Sequence, residues 1–171
     1  MQILKKYVLP TAFVAFLVFI DQITKWLAVQ HIAPLVDFLP PRDIVVIENF
    51  LRLTYLENSG MAFGMLQGGR WIFIVLTVIL IPIVIYFYIT APKNRLGKLY
   101  GVALLVLLAG ALGNFIDRVL NSGGYVIDFI RFEFFPFVFN AADVYVVVSV
   151  IALLIMTIFM KEEAKINDKK S

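Results

Sequence analysis

The chain has 171 residues, of which 61% are hydrophobic and only 16% are charged, with a formal net charge of +3. Soluble domains contain about a quarter charged residues, so this composition excludes an ordinary water-soluble domain and indicates a membrane protein. The absence of cysteine excludes disulfides, thiolate catalysis and cysteine-ligated metals, and the single histidine, His31, excludes a histidine-rich metal site. The basic residues lie between apolar segments, which favours contact with the membrane surface over nucleic-acid binding.

Four apolar segments are long enough to cross a bilayer, which requires about 20 residues per helix. They comprise residues 7–26, 71–90, 99–120 and 141–160. The first segment follows Lys5 and Lys6, as in a signal peptide, but its length, the presence of Asp21 and the lack of a small-residue cleavage site favour a retained helix. The sequence therefore predicts an α-helical membrane protein with four transmembrane helices, forming one membrane domain over residues 1–171.

The basic residues are distributed unequally between the two sides of this four-helix arrangement. Nine lie on one side and four on the other. The nine are Lys5, Lys6, Lys93, Arg95, Lys98, Lys161, Lys165, Lys169 and Lys170, and the four are Arg42, Arg52, Arg70 and Arg131. The positive-inside rule predicts that both termini and the 91–98 loop face the cytoplasm.

Two outer segments, approximately residues 37–67 and 123–139, have the composition of β-structure. Residues 44–55 are rich in β-branched and aromatic side chains, and residues 126–135 alternate in polarity after Gly123 and Gly124 and before Pro136. Because isolated hairpins are only marginally stable, we expect these strands to pair into a small sheet on the outer surface. The aromatic content predicts that the sheet reaches the lipid interface.

Polar and ionisable side chains within the predicted helices lie at one depth, near the outer face. They are Asp21, Lys25, Asn114, Asp117, Arg118 and Asp143, and Asp128 follows the third helix. Such residues are costly in lipid, so each is a candidate for function or for pairing. Structural interpretations are an Asp21–Lys25 ion pair at i,i+4 and an internal Asp117–Arg118 pair. Asn140 and Asp143 also fit a helix cap, and Asp128 also fits an exposed strand carboxylate.

Asp128 and Asp143 differ from the other acids because neither has a suitable cation nearby in sequence. Arg131 lies three residues from Asp128 but on the opposite strand face. Two unpaired carboxylates at one depth can share a proton, since like charges a few Å apart cannot both ionise cheaply. Such a pair can activate water for peptide hydrolysis without histidine, cysteine, metal or cofactor.

Five motifs, in order along the chain, resemble those of the lipoprotein signal peptidases (signal peptidase II). They are Asp21-Gln-Ile-Thr-Lys25, Asn58-Ser-Gly-Met-Ala-Phe-Gly64, Gly110-Ala-Leu-Gly-Asn-Phe-Ile-Asp-Arg118, Val126-Ile-Asp-Phe129 and Phe139-Asn-Ala-Ala-Asp143. Met61 departs from the alanine that is common in this family. Together the motifs extend over nearly the whole chain between Asp21 and Asp143.

The resemblance implies an intramembrane aspartic peptidase that removes the signal peptide from diacylglyceryl-modified prolipoproteins, cutting just before the lipidated cysteine. It implies that Asp128 and Asp143 are catalytic. The positions implied to bind substrate or support the site are Asn58, Gly60, Asn114, Arg118, Asn140, Asp21, Lys25 and Asp117. It further implies an outer β-cradle, no cofactor or metal, contact with membrane lipids, and a monomer in the bacterial cytoplasmic membrane with its site near the outer face.

Three other functions fit parts of the sequence. A proton-coupled transporter also uses buried carboxylates, but its sites usually lie near the midplane between repeats, and no repeat is visible here. A serine peptidase would pair Ser59 with Lys25, although the glycine of a nucleophile elbow is missing two residues before Ser59. A purely structural membrane subunit leaves the unpaired Asp128 and Asp143 unexplained.

Overall fold

The computed structural model describes residues 7–37, 43–60 and 69–168. Five helices and four strands follow one another along these residues: α1 (Leu9–His31), α2 (Ala33–Val36), β1 (Ile44–Ile47), β2 (Leu51–Asn58), α3 (Arg70–Thr90), α4 (Arg95–Leu120), β3 (Val126–Phe132), β4 (Val138–Phe139) and α5 (Ala141–Asp168). The predicted fold class, four apolar helices with a small sheet, is confirmed. The basic residues at positions 5, 6, 42, 169 and 170, used above for orientation, lie outside the described residues.

Four helical segments in the described part of the chain are long and apolar enough to cross a membrane. They are Leu9–Leu35, Arg70–Thr90, Arg95–Leu120 and Ala141–Lys161. Their number, length and composition are those of a multi-pass membrane protein.

Three of the helices extend beyond the predicted segments. α1 does not end at Trp26 but continues to His31, because the apolar sequence continues through Leu27 and Ala28. α4 starts at Arg95 rather than residue 99, since the Asn94 side chain caps it by accepting a hydrogen bond from the Gly97 N–H at 2.8 Å. α5 continues past residue 160 to Asp168, because the Lys, Glu and Ala residues there favour helix after the apolar segment has ended.

The four strands form one antiparallel sheet in the order β1-β2-β3-β4. The segment 44–55, interpreted above as β-rich, is a hairpin whose turn contains Asn49 at φ 58°, a left-handed conformation that asparagine tolerates. β2 pairs with β3 through partners that include Leu53 with Ile130 and Asn58 with Val126. In the second outer segment, alternation over residues 126–135 predicted one strand. In the structure β3 ends earlier, at Phe132, and a separate two-residue strand, β4, follows.

The sheet lies at one end of the helix bundle. β1 and β2 come from the connection between α2 and α3, whereas β3 and β4 come from the connection between α4 and α5. Because the strands of both connections pair with each other, both connections lie at the same end of the bundle. The short α3–α4 connection therefore lies at the opposite end.

α4 is the central helix, packing against α1, α3 and α5. Val14 of α1 packs with Leu105 and Ala109 of α4 in one buried cluster. Gly110 permits a close approach of α5, because a Cβ there would lie 2.6 Å from the Ala142 carbonyl oxygen. This close contact brings the last turns of α4 next to the first turn of α5.

Candidate active site

Asp128 lies on β3 and is fully buried, with 1% of its surface exposed. The interpretation of Asp128 as an exposed strand carboxylate is therefore wrong, because the face of the sheet that carries it is covered at this point. Asn58 Nδ2 donates to its Oδ2 at 2.8 Å, and Asn140 Nδ2 donates to its Oδ1 at 2.6 Å. Burial and the nearby carboxylate of Asp143 raise the pKa of Asp128 to about 7.

Asp143 lies in the first turn of α5, and the predicted helix cap is confirmed. The Asp143 N–H donates to Asn140 Oδ1 at 2.9 Å, and the Asn140 N–H donates to Asp143 Oδ2 at 3.2 Å. This reciprocal pair is a capping box, which satisfies two N–H groups at the start of the helix. Asn114 Nδ2 donates to the other oxygen, Asp143 Oδ1, at 2.8 Å. The Asp143 side chain is only partly buried.

The side chains of Asn58, Asn114 and Asn140 donate hydrogen bonds to the two carboxylates. The amide oxygen of each asparagine accepts a hydrogen bond in turn, which fixes the orientation of the amide group. The Gly60 N–H donates to Asn58 Oδ1 at 3.0 Å. The oxygen of Asn140 accepts from the Asp143 N–H, and Asn140 Nδ2 donates to Asn114 Oδ1 at 3.1 Å. The amino group of each asparagine therefore points toward an aspartate, and Asn140 lies between Asp128 and Asp143.

Asp21, Lys25 and Asp117 form a buried ionic cluster behind these asparagines. The predicted Asp21–Lys25 pair is confirmed, with 2.8 Å between Lys25 Nζ and Asp21 Oδ2. The predicted Asp117–Arg118 pair is wrong, because Lys25 Nζ lies 3.0 Å from Asp117 Oδ2. Adjacent residues on a helix point in different directions, so Arg118 and Asp117 do not face each other.

Arg118 occupies a different place from the ionic cluster. Its Nη1 donates to the Asn114 carbonyl oxygen at 3.3 Å, and its guanidinium lies 4.4 Å from the centre of the Phe73 ring. Within the described residues, the buried Nε of Arg118 has no hydrogen-bond partner. Asp143 and Asp128 both attract this guanidinium electrostatically. Arg118 therefore provides positive charge near the two carboxylates, and its buried Nε has an N–H without a partner among the described residues.

The structure brings together the predicted site residues of α1, β2, α4, β3 and α5, whereas positions 61–64 of the second motif lie outside the described residues. Sequence reasoning missed Gln22, whose Nε2 donates to Asp117 Oδ1 at 2.9 Å and to Asp21 Oδ2 at 3.2 Å. Gln22 is a polar residue within an apolar helix, and this alone could have marked it as a candidate site residue. Nothing in the sequence indicated the contact between Phe73 and Arg118. In the described part of the chain, no group of three or more histidine or acidic side chains could hold a metal ion.

Comparison with known proteins supports an assignment of this site to a family. A family model for signal peptidase (SPase) II matches residues 13–159. A lipoprotein signal peptidase of Caldanaerobacter subterraneus subsp. tengcongensis is 48% identical over 146 residues, which cover 85% of this chain and 93% of the relative. A lipoprotein signal peptidase of Streptococcus pyogenes serotype M1 is 44% identical over 140 residues, covering 81% and 86%.

Two solved structures of bacterial membrane enzymes, both obtained by the in meso method, have a similar fold. The structure at 2.3 Å resolution is 33% identical, with a TM-score of 0.78 and 92% of each chain covered. The structure at 1.9 Å resolution is also 33% identical, with a TM-score of 0.72, covering 88% of this chain and 92% of the other. Since the family model covers most of the sequence and the relatives match over most of their length, the chain belongs to the signal peptidase II family.

Proposed function

We propose that this protein is a lipoprotein signal peptidase that cleaves diacylglyceryl-modified prolipoproteins just before the lipidated cysteine, with Asp128 and Asp143 activating water. Membership of the family supports peptidase activity on prolipoproteins. One observation supports the aspartic mechanism above all others. Asp128 and Asp143 are held around a common Asn140, and neither forms an ion pair within the described residues.

In the proposed reaction, the two aspartates share one proton. The ionised aspartate accepts a proton from water as the water oxygen attacks the scissile carbonyl carbon. The protonated aspartate donates a hydrogen bond to the developing oxyanion. The proton then passes to the leaving amine as the C–N bond breaks, and the dyad returns to its singly protonated state.

The remaining polar groups support this chemistry. Asn58, Asn114 and Asn140 hold the carboxylates in place through their amino groups. Asp143 and Asp128 attract the guanidinium of Arg118, and its positive charge would also attract the oxygen of a substrate carbonyl. We propose that the site faces the outer leaflet of the bacterial cytoplasmic membrane, that both termini are cytoplasmic, and that the enzyme acts as a monomer.

The serine alternative has little support from the contacts of Lys25. The Lys25 ammonium bonds Asp21, Asp117 and Asn114, which use its three N–H groups. A lysine held in this way by two carboxylates is a poor general base for Ser59, because deprotonation would leave both carboxylates without their cation. Replacement of Ser59 by alanine should therefore leave cleavage close to the wild-type rate.

Replacement of each aspartate by asparagine tests the dyad. Asn is nearly isosteric but cannot exchange a proton, so Asp128→Asn and Asp143→Asn should each reduce cleavage by about a thousandfold or more. Because the two residues act as a unit, the double variant should be scarcely less active than either single variant. The measurement is cleavage of a lipidated prolipoprotein in detergent, with thermal unfolding recorded on the same samples. Substantial cleavage by a folded single variant would exclude the dyad.

Substrate lipidation provides a second test. A site at headgroup depth suits a scissile bond whose depth and orientation are fixed by acyl chains. The segment 49–64, with Phe50, Tyr55, Met61 and Phe63, is our candidate lid or cradle over that bond, and core packing is the alternative role of these side chains. Positions 61–64 lie outside the described residues. A prolipoprotein with an unlipidated cysteine should be cleaved far more slowly than its lipidated form, and equal rates would contradict lipid-dependent selection.

A further inference from the structure

Lys25 is almost fully buried, with 2% of its side chain exposed, and its three N–H groups have three different partners. Its Nζ lies 2.8 Å from Asp21 Oδ2, 3.0 Å from Asp117 Oδ2 and 3.0 Å from Asn114 Oδ1. One carboxylate would be enough to neutralise the charge of a buried lysine. A second carboxylate gives the cluster a formal charge of −1, which is costly to bury. The second acid therefore needs an explanation beyond neutralising Lys25.

Each of the two acids also accepts a hydrogen bond from the main chain next to a proposed catalytic aspartate. Asp117 Oδ2 accepts from the Ile127 N–H at 3.1 Å, and Ile127 directly precedes Asp128. Asp21 Oδ1 accepts from the Ala142 N–H at 2.9 Å, and Ala142 directly precedes Asp143. Hydrogen bonds between a carboxylate and a backbone N–H are charge-assisted and therefore among the stronger ones.

The third partner of Lys25 leads to the same place. Asn114 Oδ1 accepts from Lys25 Nζ, while Asn114 Nδ2 donates to Asp143 Oδ1 at 2.8 Å. Each partner of the Lys25 ammonium therefore makes a second hydrogen bond at one of the two proposed catalytic aspartates. Asp117 bonds the main chain before Asp128, Asp21 bonds the main chain before Asp143, and Asn114 bonds the Asp143 side chain. Gln22 joins the two acids directly by donating to both.

We propose that Lys25 is a positioning residue that sets the separation of Asp128 and Asp143. Asp128 lies on β3 and Asp143 on α5, fifteen residues apart in the chain. Their spacing is thus fixed by tertiary contacts. Lys25 with Asp21 and Asp117 ties the main chain at both aspartates to one cation. This inference rests on the proposed aspartic mechanism, in which sharing a proton requires a fixed distance between the two carboxylates.

The alternative is that the cluster only satisfies polar groups inside the membrane. The two explanations differ in what happens when the charges are removed together. A variant with Lys25→Met, Asp21→Asn and Asp117→Asn leaves no buried charge unpaired, so it should remain folded. Both asparagines keep an oxygen that can accept from the Ile127 and Ala142 N–H groups, but the common cation between them is lost.

The experiment measures kcat, KM and thermal unfolding of this triple variant with a lipidated prolipoprotein substrate. We expect a thermal midpoint within a few degrees of wild type, a KM changed by less than about threefold and a kcat reduced by about 10- to 100-fold, because small misplacements of catalytic groups have effects of this size. A cluster with only a structural role would change the thermal midpoint and leave the kcat of the folded enzyme unchanged. Wild-type kcat in the triple variant would therefore overturn the proposal.

Asp117→Asn alone covers the case in which the triple variant does not fold, because it retains the Asp21–Lys25 pair. It should lower kcat by about tenfold at nearly constant KM, and an unchanged kcat would overturn the proposal. Glu133→Gln is the matched control, since Glu133 directly follows β3 and forms an exposed pair with Arg52 of β2 in the same sheet, and it should leave kcat unchanged. Asp128→Asn separates the two hypotheses. If it retains cleavage, the aspartic mechanism fails; if it is inactive while the cluster variants keep their kcat, only the role of Lys25 fails.

Discussion

Asp128 combines an environment that opposes its charge with two hydrogen bonds that support it. Burial and the proximity of Asp143 raise its pKa from 3.8 to about 7, against the opposing effect of hydrogen bonds from Asn58 and Asn140. A carboxyl group with this pKa changes its protonation near neutral pH, as a residue that exchanges a proton with water and substrate must do. The same perturbation makes the stability of the protein depend on pH.

Protonation of Asp128 should therefore couple to folding in a defined direction. Between pH 4 and pH 7 the folded protein retains a proton at Asp128 that the unfolded chain has lost, because the folded pKa is the higher one. The free energy of unfolding should thus decrease as pH rises through this window. Asp128→Asn removes the titrating group and should give a flatter dependence.

Thermal midpoints of the two proteins in detergent at pH 4, 5, 6 and 7 test this expectation. Groups that do not interact with Asp128 contribute equally to both proteins, so the difference in slope reports Asp128 together with the neighbouring carboxylate of Asp143. Parallel curves for wild type and Asp128→Asn would show that the pKa of Asp128 is not raised in the folded protein.

At the residue scale, the sequence was sufficient to predict most polar residues of the candidate site and the local Asp21–Lys25 pair, but not Gln22 or the pairs between distant residues. Charges within apolar segments stand out, so Asp21, Asp117 and Asp143 could be placed at one depth. Partners that are distant in sequence could not be identified. Lys25 lies 92 positions from Asp117, and this contact depends on the packing of α1 against α4.

The pairing changes one expectation about Asp21. From the sequence, Asp21→Asn leaves Lys25 as an unpaired charge in lipid and therefore destabilises the protein. In the structure Lys25 still has Asp117, so the loss of stability should be smaller than an unpaired buried lysine would cause.

At the scale of elements, the close contact between α4 and α5 determines where Asp143 lies. A Cβ on Gly110 would lie 2.6 Å from the Ala142 carbonyl oxygen and 2.8 Å from Val146 Cγ2. Relief of these contacts requires α5 to move as a unit, because backbone atoms cannot rotate away. Gly101, on the same helix, has room for a Cβ, whose nearest neighbour would be the Tyr88 ring at 3.4 Å.

Gly110→Ala and Gly101→Ala form a matched pair. Both gain the same helix propensity, so their difference reports packing. Gly110→Ala should destabilise the protein by about 1–3 kcal/mol through overpacking and should lower kcat, since α5 carries Asp143. Gly101→Ala should retain both stability and activity. Thermal unfolding and cleavage assays on the two variants make the comparison, and equal behaviour would show that α4 and α5 are not in tight contact at Gly110.

The helices were easier to predict than the strands. Twenty apolar residues have few alternatives in lipid, because only a helix satisfies their backbone hydrogen bonds internally. Helix ends depend on local caps such as Asn94, and they extended past the predicted limits. The strands are short, and their turns could not be located, because the turn around Asn49 lacks the glycine signal of a tight hairpin.

At the scale of the whole molecule, the sheet and the polar site lie at the same end of the bundle. Asp128 belongs to the sheet itself, and Asp143 begins the helix that follows β4. Six phenylalanine rings contact one another near the β3–β4 connection, an aromatic density typical of a membrane interface. They are Phe50, Phe132, Phe134, Phe135, Phe137 and Phe139. The candidate site therefore lies at the end with the sheet, and under the proposed function the orientation of this end in the membrane decides which side supplies the substrate.

The excess of basic residues at the opposite end predicts that the sheet faces outward. Because the chain lacks cysteine, single substitutions can report orientation without background labelling. Arg131→Cys on β3 should react with a membrane-impermeant maleimide on intact bacterial cells, since Arg131 is 52% exposed. Lys93→Cys, in the exposed α3–α4 connection, should react only after the membrane is permeabilised. The unsubstituted chain should not be labelled under either condition. Labelling of Lys93→Cys but not Arg131→Cys on intact cells would invert the proposed orientation and place the site on the cytoplasmic side, away from exported prolipoproteins.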